Sequence, residues 1–320
     1  MKIYVITNTV LVRKMKEVFN CIREFTRQFQ THFIVTGSYL GRVLEPDFRF
    51  SSGDVTSIRI FTLSFQEFLE TFDPPLYQEY SSLPLDHADD RKPEIYNELQ
   101  SAFDVYKQIG GYPKVVETYL NTKSILLREK KGLDEGSISE ELQKLVMKNH
   151  SSNLSKATCF RAINWLYQSG IVGYCGKIIE MDILNFKPSS RCFFMDLGIT
   201  YYYLSRSGAD APTRSGTLNE NYVYIDLLKR QEFPEEIAFE TPAFATYKGG
   251  EIDFVAQNIQ SSTRYLIEVK SGKGKGTTAL KALEQGKAQK LLYLKGDTRG
   301  GANGKVETLP IYLLERYQFD

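Results

Sequence analysis

The chain has 320 residues, of which 42% are hydrophobic, 25% charged and 13% aromatic, with a mean hydropathy of −0.32. This composition excludes wholesale disorder and a collagen-like or coiled-coil rod, and no apolar run approaches the roughly 18 residues that a membrane helix needs. Forty Lys and Arg against 39 Asp and Glu leave a net charge of +1, so no global field draws the chain to nucleic acid.

The length predicts two or three folding units. The start, Met1 to Asn8, is a short apolar stretch broken by polar residues with no small-residue cleavage site, and no signal peptide is expected. Cys21, Cys159, Cys175 and Cys192 lie far apart with no C-x-x-C pair, which points to a reducing cytoplasm rather than a disulfide framework. Charge is uneven locally. Glu70 to Glu98 holds eight acids against two bases, and Arg264 to Lys295 holds eight bases against two acids. On charge alone two solvated faces of opposite sign are the preferred explanation, and a C-terminal surface that meets a polyanion is the sharper one.

Along the chain, Val18, Phe19, Ile22, Phe25 and Phe29 fall at helical spacing over 15–30. His32 to Thr36 is an apolar run closed by Gly37-Ser38 and predicts a buried strand. Ser57 to Phe61 predicts a second strand. A helix capped by Ser64 follows, carrying Phe65, Phe68, Leu69 and Phe72, with Asp73-Pro74-Pro75 as its stop. Tyr96, Leu99, Phe103, Tyr106 and Ile109 define one face of a helix over 93–109, which Gly110-Gly111-Tyr112-Pro113 breaks before a short helix through Val115, Val116 and Leu120.

From Ser137 to Ile183 the pattern is helix, turn, helix and a strand pair (Ile171 to Tyr174, then Lys177 to Ile179), which is the winged-helix plan. Its second helix, opened by Ser155, would offer Lys156, Thr158, Arg161 and Asn164 to a DNA groove, with Phe160, Ile163 and Leu166 facing inward. A packing module that touches no DNA would have the same pattern. The last third predicts a helix over 219–230, strands at 236–240, 251–255, 265–269, 290–294 and 311–314, and a helix over 279–285. That is an α/β unit with its own core.

One constellation in this unit carries chemistry. Gly250-Glu251-Ile252-Asp253-Phe254 is followed, with fourteen residues between Asp253 and Glu268, by Glu268-Val269-Lys270. Alternation puts Glu268 and Lys270 on one strand face, and Asp253 with Glu251 on one face of its own strand. On neighbouring hairpin strands Asp253, Glu268 and Lys270 converge. Two carboxylates can hold a Mg²⁺ that keeps several waters, and the ion makes a bound water acidic enough to attack a phosphate, aided by the lysine. This is the aspartate, glutamate-x-lysine pattern of the PD-(D/E)XK nuclease fold, with Glu220 on the preceding helix as a further acid and Lys273 and Lys275 as basic residues for DNA. Ser271 to Thr277 is out of register with a G-x-x-x-x-G-K-[ST] loop, and His32, His87 and His150 are isolated.

Taken together, the chain resembles a prokaryotic family of AAA-type ATPases that carry a C-terminal domain of unknown function numbered 4143. The marks are Phe33 to Ser38, Leu63 to Phe68, Gly110 to Pro113, the winged-helix pattern, Asn219 to Val223, Gly250 to Phe254 and Ile267 to Lys270. The resemblance implies a truncated AAA-type α/β remnant (1–73), a helical lid (74–130), a winged-helix-like domain (131–210) and a PD-(D/E)XK-like α/β domain (211–320). The chain departs from that family in lacking a Walker A loop. The Walker B position falls at Tyr4 to Asn8, which has no acidic pair, and Gly53-Asp54 stands where Gly-Arg is usual. ATP binding and independent ATP hydrolysis are therefore not expected. The expectation is a cytoplasmic DNA-binding protein with a Mg²⁺-dependent cleaving site. The alternatives are a non-catalytic DNA-binding or assembly protein, or an ATPase subunit completed by another chain; the partners expected are DNA and either a second copy of the chain in a homo-oligomer or that partner chain.

Overall fold

The computed structural model describes residues 3–7, 28, 32–36, 59–89, 92–124, 163–167, 169–232, 236–239, 241–270 and 276–320. The chain divides into two compact units, Met1–Arg59 with Leu154–Val172, and Ile60–Asn153 with Gly173–Asp320. This division differs from the four expected segments, because the helices after residue 60 and the strands after 173 share a unit with 211–320.

In the first unit, β1 (Ile3–Thr7) pairs in parallel with β2 (His32–Thr36), with Val5 opposite Ile34. Strand β2 matches the expected apolar run, and β1 contains no acidic residue. Residues 163–167 are helical, with Asn164 exposed and Ile163 and Leu166 half-buried. The first helix of the winged-helix pattern and Lys156, Thr158 and Arg161 lie outside the described residues.

The second unit begins with four helices. Helix α1 (Phe65–Phe72) has the expected Ser64 cap, a full capping box with Glu67. Asp73-Pro74-Pro75 does more than end it: Asp73 accepts from Leu76 N and Pro74 opens α2 (Pro74–Ser82). Proline suits the first helical position because its missing N–H would have no partner there. Helix α3 (Pro93–Ile109) buries the expected face, and α4 (Pro113–Thr122) follows the Gly-Gly break.

An eight-stranded mixed sheet forms the rest, in the order β4-β3-β5-β6-β7-β8-β10-β9. Its strands are β3 (Val172–Ile178), β4 (Phe186–Phe194), β5 (Ala243–Tyr247), β6 (Gly250–Gln257), β7 (Arg264–Lys270), β8 (Lys290–Lys295), β9 (Gly301–Asn303) and β10 (Val306–Pro310). Three more helices join it: α5 (Leu197–Arg206), α6 (Ala211–Glu232) and α7 (Thr277–Glu284).

Four expectations change here. The strand pair expected over 171–179 is one strand, β3, which pairs in parallel with β5. The strand expected at 236–240 is a single bridge from Ile237 to Asn258. Residues 59–61 are in no strand. Ile311 to Leu314 lie in a 3-10 helix, Ile311–Arg316; a short apolar run buried on all sides reads alike as strand or helix.

Two cores flank the sheet. One joins α1, α3 and α6 to Phe254, Ile267, Val269, Leu292 and Leu294. The other packs Ala279, Ala282 and Leu283 of α7 on Ile252, Val255, Leu266, Leu291 and Tyr293.

Buried polar groups lock the helices to the sheet. Asp196, 2% exposed, caps α5 through Ile199 N and accepts from Gly111 N at 2.8 Å. Asn221 donates to Phe194 O and accepts from Thr200 Oγ1, and Lys107 reaches Asn219 at 3.3 Å. Leu63 N donates to Gly111 O, and Tyr106 OH donates to Leu63 O. Gly111 is required there, since a Cβ would lie 2.1 Å from Leu63 O. Several of the marks behind the family resemblance (Leu63 to Phe68, the Gly-Gly break, Asn219 and Asn221) are therefore parts of one structural joint.

Candidate functional site

Strands β6 and β7 form the expected antiparallel hairpin, and their ladder runs from Gln257↔Arg264 to Phe254↔Ile267. Asp253 and Glu268 lie just beyond the last pair. On its other side, β6 has a register shift against β5, between the pairs Ala243↔Val255 and Ala245↔Ile252. That extra residue is a β-bulge, a device that re-aims side chains at the end of a ladder. It breaks the simple alternation expected for this strand, since Ile252 packs in the α7 layer and Phe254 in the α6 layer.

The three expected residues are brought together. Val269 N donates to Asp253 Oδ2 at 2.8 Å, fixing that carboxylate in the gap between the strands. Lys270 Nζ lies 3.2 Å from Asp253 Oδ2 and 2.5 Å from Glu268 Oε2. Glu268 is 1% exposed, and its second oxygen, Oε1, is buried with no hydrogen-bond partner among the protein atoms. The backbone at Gly276, just before α7, presses on the same carboxylate: a Cβ there would lie 2.4 Å from Glu268 Oε2 and 2.7 Å from Oε1.

The cluster extends towards β4. Glu220, on α6, is half-buried and feels the charges of Asp253, Arg191, Glu251 and Lys270. Arg191, on β4, lies over the Phe244 ring at 4.2 Å and bonds Glu251 Oε1 at 2.5 Å. Arg191 and Glu251 were not singled out as site residues from the sequence. Glu251 stood in the motif, but its partner comes from a strand sixty residues away. Lys273 and Lys275 lie outside the described residues.

Electrostatics follow from burial and charge count. Burial, then repulsion from Asp253, raises the Glu220 pKa, with Arg191 opposing. Burial, then Asp253, raises that of Glu268, with Lys270 opposing. For Lys270, burial works against the charge, but the hydrogen bond to Glu268 and the charges of Asp253 and Glu268 outweigh it and raise the pKa. Lys270 is thus a held cation, not a neutral base. Four carboxylates (Asp253, Glu268, Glu220, Glu251) face two cations (Lys270, Arg191), an excess of two negative charges. The donor set suits a hard divalent ion bound by one or two carboxylates and otherwise by water, and Glu268 Oε1 is an acceptor left open for it. Among the described residues no three His, Cys, Asp or Glu side chains are grouped to hold a metal; Asp253 and Glu268, both against Lys270, are the pair that could hold one.

Fold and site together define an α/β domain with a carboxylate–lysine cluster where two strands of its mixed sheet part. Residues 215–314 match the domain of unknown function DUF4143. That span includes Glu220, Glu251, Asp253, Glu268 and Lys270. No AAA ATPase or nuclease family matches the chain, and no curated protein and no solved structure matches it. Among the described residues no helix is long and apolar enough to cross a membrane.

Proposed function

We propose that the protein binds DNA and that Asp253, Glu268 and Lys270 form a Mg²⁺-dependent site for cleaving phosphodiester bonds. The observation that carries this is the Lys270 ammonium held between two carboxylates, one of which keeps a buried, unpaired oxygen. Asp253 and Glu268 would hold the ion, with the Val269 N–H fixing the first and the close backbone of Gly276 fixing the second. When bound, Mg²⁺ supplies an acidified water and neutralises phosphate charge. Lys270 stays protonated and donates to a phosphate oxygen or to the attacking water. Glu220, whose pKa burial and then Asp253 raise, would serve as a further acid beside the ion. The chain carries no phosphate-binding loop and β1 has no acid, which supports a protein that hydrolyses no ATP by itself.

The test is cleavage of duplex DNA by the full chain with Mg²⁺, with the chelator EDTA, and after Lys270→Ala. Cleavage that needs both the ion and Lys270 supports the reading. DNA left intact by the parent protein, or cut equally by the variant, refutes it.

A further inference from the structure

Strands β7 and β8 run in parallel and end side by side, with Lys270 opposite Lys295 in the ladder. Strands so paired lie about 4.8 Å apart. Both side chains lie on the α7 face, because Val269 and Leu294 pack in the opposite layer while Tyr293 packs under α7. Their surroundings differ. Lys270 is engaged by Glu268 and Asp253. Lys295 is half-buried and meets no carboxylate among the described residues; its ammonium lies 5.5 Å from the centre of the Tyr293 ring. Tyr293 is 6% exposed, and its hydroxyl is buried beside the Gly276 backbone.

A cation without a carboxylate and a buried phenol thus share the carboxyl ends of parallel strands, the end at which open α/β sheets bind ligands. The charge balance points to the sign of the ligand. Asp253 and Glu268 answer the charge of Lys270, whereas no carboxylate among the described residues answers that of Lys295. An oxyanion answers that surplus, and lysine binds phosphate as a point charge.

We propose that Lys295 binds a phosphate of the DNA backbone at the carboxyl ends of β7 and β8, seating the strand against the Asp253–Glu268–Lys270 cluster. Its value for cleavage rests on the function proposed above, whereas the phosphate contact does not.

The test is binding of a 20-base-pair duplex of mixed sequence, followed by fluorescence anisotropy in EDTA over a range of salt. It compares the parent protein with Lys295→Met and Lys295→Arg. The methionine variant is expected to bind about 5- to 10-fold more weakly, with a slope of log affinity against log salt shallower by about 0.9, the value of one phosphate contact on duplex DNA. The arginine variant is expected to restore both, which separates lost charge from lost fold. Equal affinity and slope in the parent and the methionine variant, or no duplex binding by the parent, overturns the proposal. Titration with inorganic phosphate separates the two sources of the group: lysine-dependent binding of phosphate with no preference for duplex overturns the DNA assignment. Lys295-dependent duplex binding by a parent protein that cuts no DNA supports the phosphate contact and refutes only the cleavage reading.

Discussion

Gly276→Ala probes the site without removing a charged group. The backbone there has φ −71°, a conformation open to any residue, so the cost is steric alone. The new methyl would lie 2.4 Å from Glu268 Cδ and Oε2 and 2.7 Å from Oε1, about 1 Å inside an ordinary contact. Glu268 cannot swing away cheaply, since its side chain is 2% exposed and tied to Lys270 at 2.5 Å. Relief must come from moving α7 or from loosening that ion pair. Overpacking of this kind costs about 1–3 kcal/mol, roughly a 5- to 160-fold change in the unfolding constant. Urea unfolding reads the stability loss, and Mn²⁺ titration by calorimetry reads the site. Lower stability together with weaker Mn²⁺ binding is expected. A variant equal to the parent in both would refute the claim that Gly276 and Glu268 are in enforced contact.

Three further outcomes are expected. The folded state raises the Glu220 pKa, chiefly by burial and then by Asp253, so its contribution to stability is full below the unfolded carboxylate range and is lost as pH rises through the folded value. Glu220→Gln should therefore gain on the parent between pH 4 and pH 8 in urea unfolding; a constant difference across that range would contradict the shift. Arg230 bonds Asp226 Oδ2, Glu236 Oε2 and Leu314 O at 2.7–2.8 Å while 9% exposed. Arg230→Ala leaves Asp226 buried and unpaired, and a loss of about 3–5 kcal/mol is expected; a loss under about 1 kcal/mol on thermal or urea unfolding would show the network to be slack. Gly111→Ala drives a Cβ to 2.1 Å from the backbone oxygen of Leu63. It should lower the melting temperature and leave the Mn²⁺ affinity of the surviving folded protein unchanged, and a change in affinity would link this joint to the site.

The sequence shows most clearly those features that depend on local rules. The Ser64 cap, the α3 face and the β6–β7 hairpin with its Glu-x-Lys all follow from spacing over a few residues, and the structure has them where expected. The bulge at Asp253 was hidden, because two residues facing one on a partner strand is a property of the pairing and not of either strand. Strand β5 escaped notice because Ala243 and Ala245 are poor strand formers chosen for a tight layer. The start of α6 was hidden by Pro212 and Gly216, although Asp210 caps it through Thr213 N. The buried Asn219, Asn221 and Asp196 make sense only beside their tertiary partners, so their motifs suggested a family before they suggested a joint. For the site, Glu268 and Lys270 could be read from alternation and the hairpin brought Asp253 beside them, although the bulge sets how its carboxylate is aimed. Arg191 and Lys295 could not, since only strand order brings β4 and β8 to this end of the sheet.

The central claim is that Asp253 and Glu268 together hold a divalent ion beside Lys270. Calorimetric titration of the full chain with Mg²⁺ and Mn²⁺ tests it most directly, set against Asp253→Asn, Glu268→Gln and the two combined. One ion per chain is expected in the parent, with weaker binding in each single variant and none in the double. Equal heats from the parent and the double variant would contradict it.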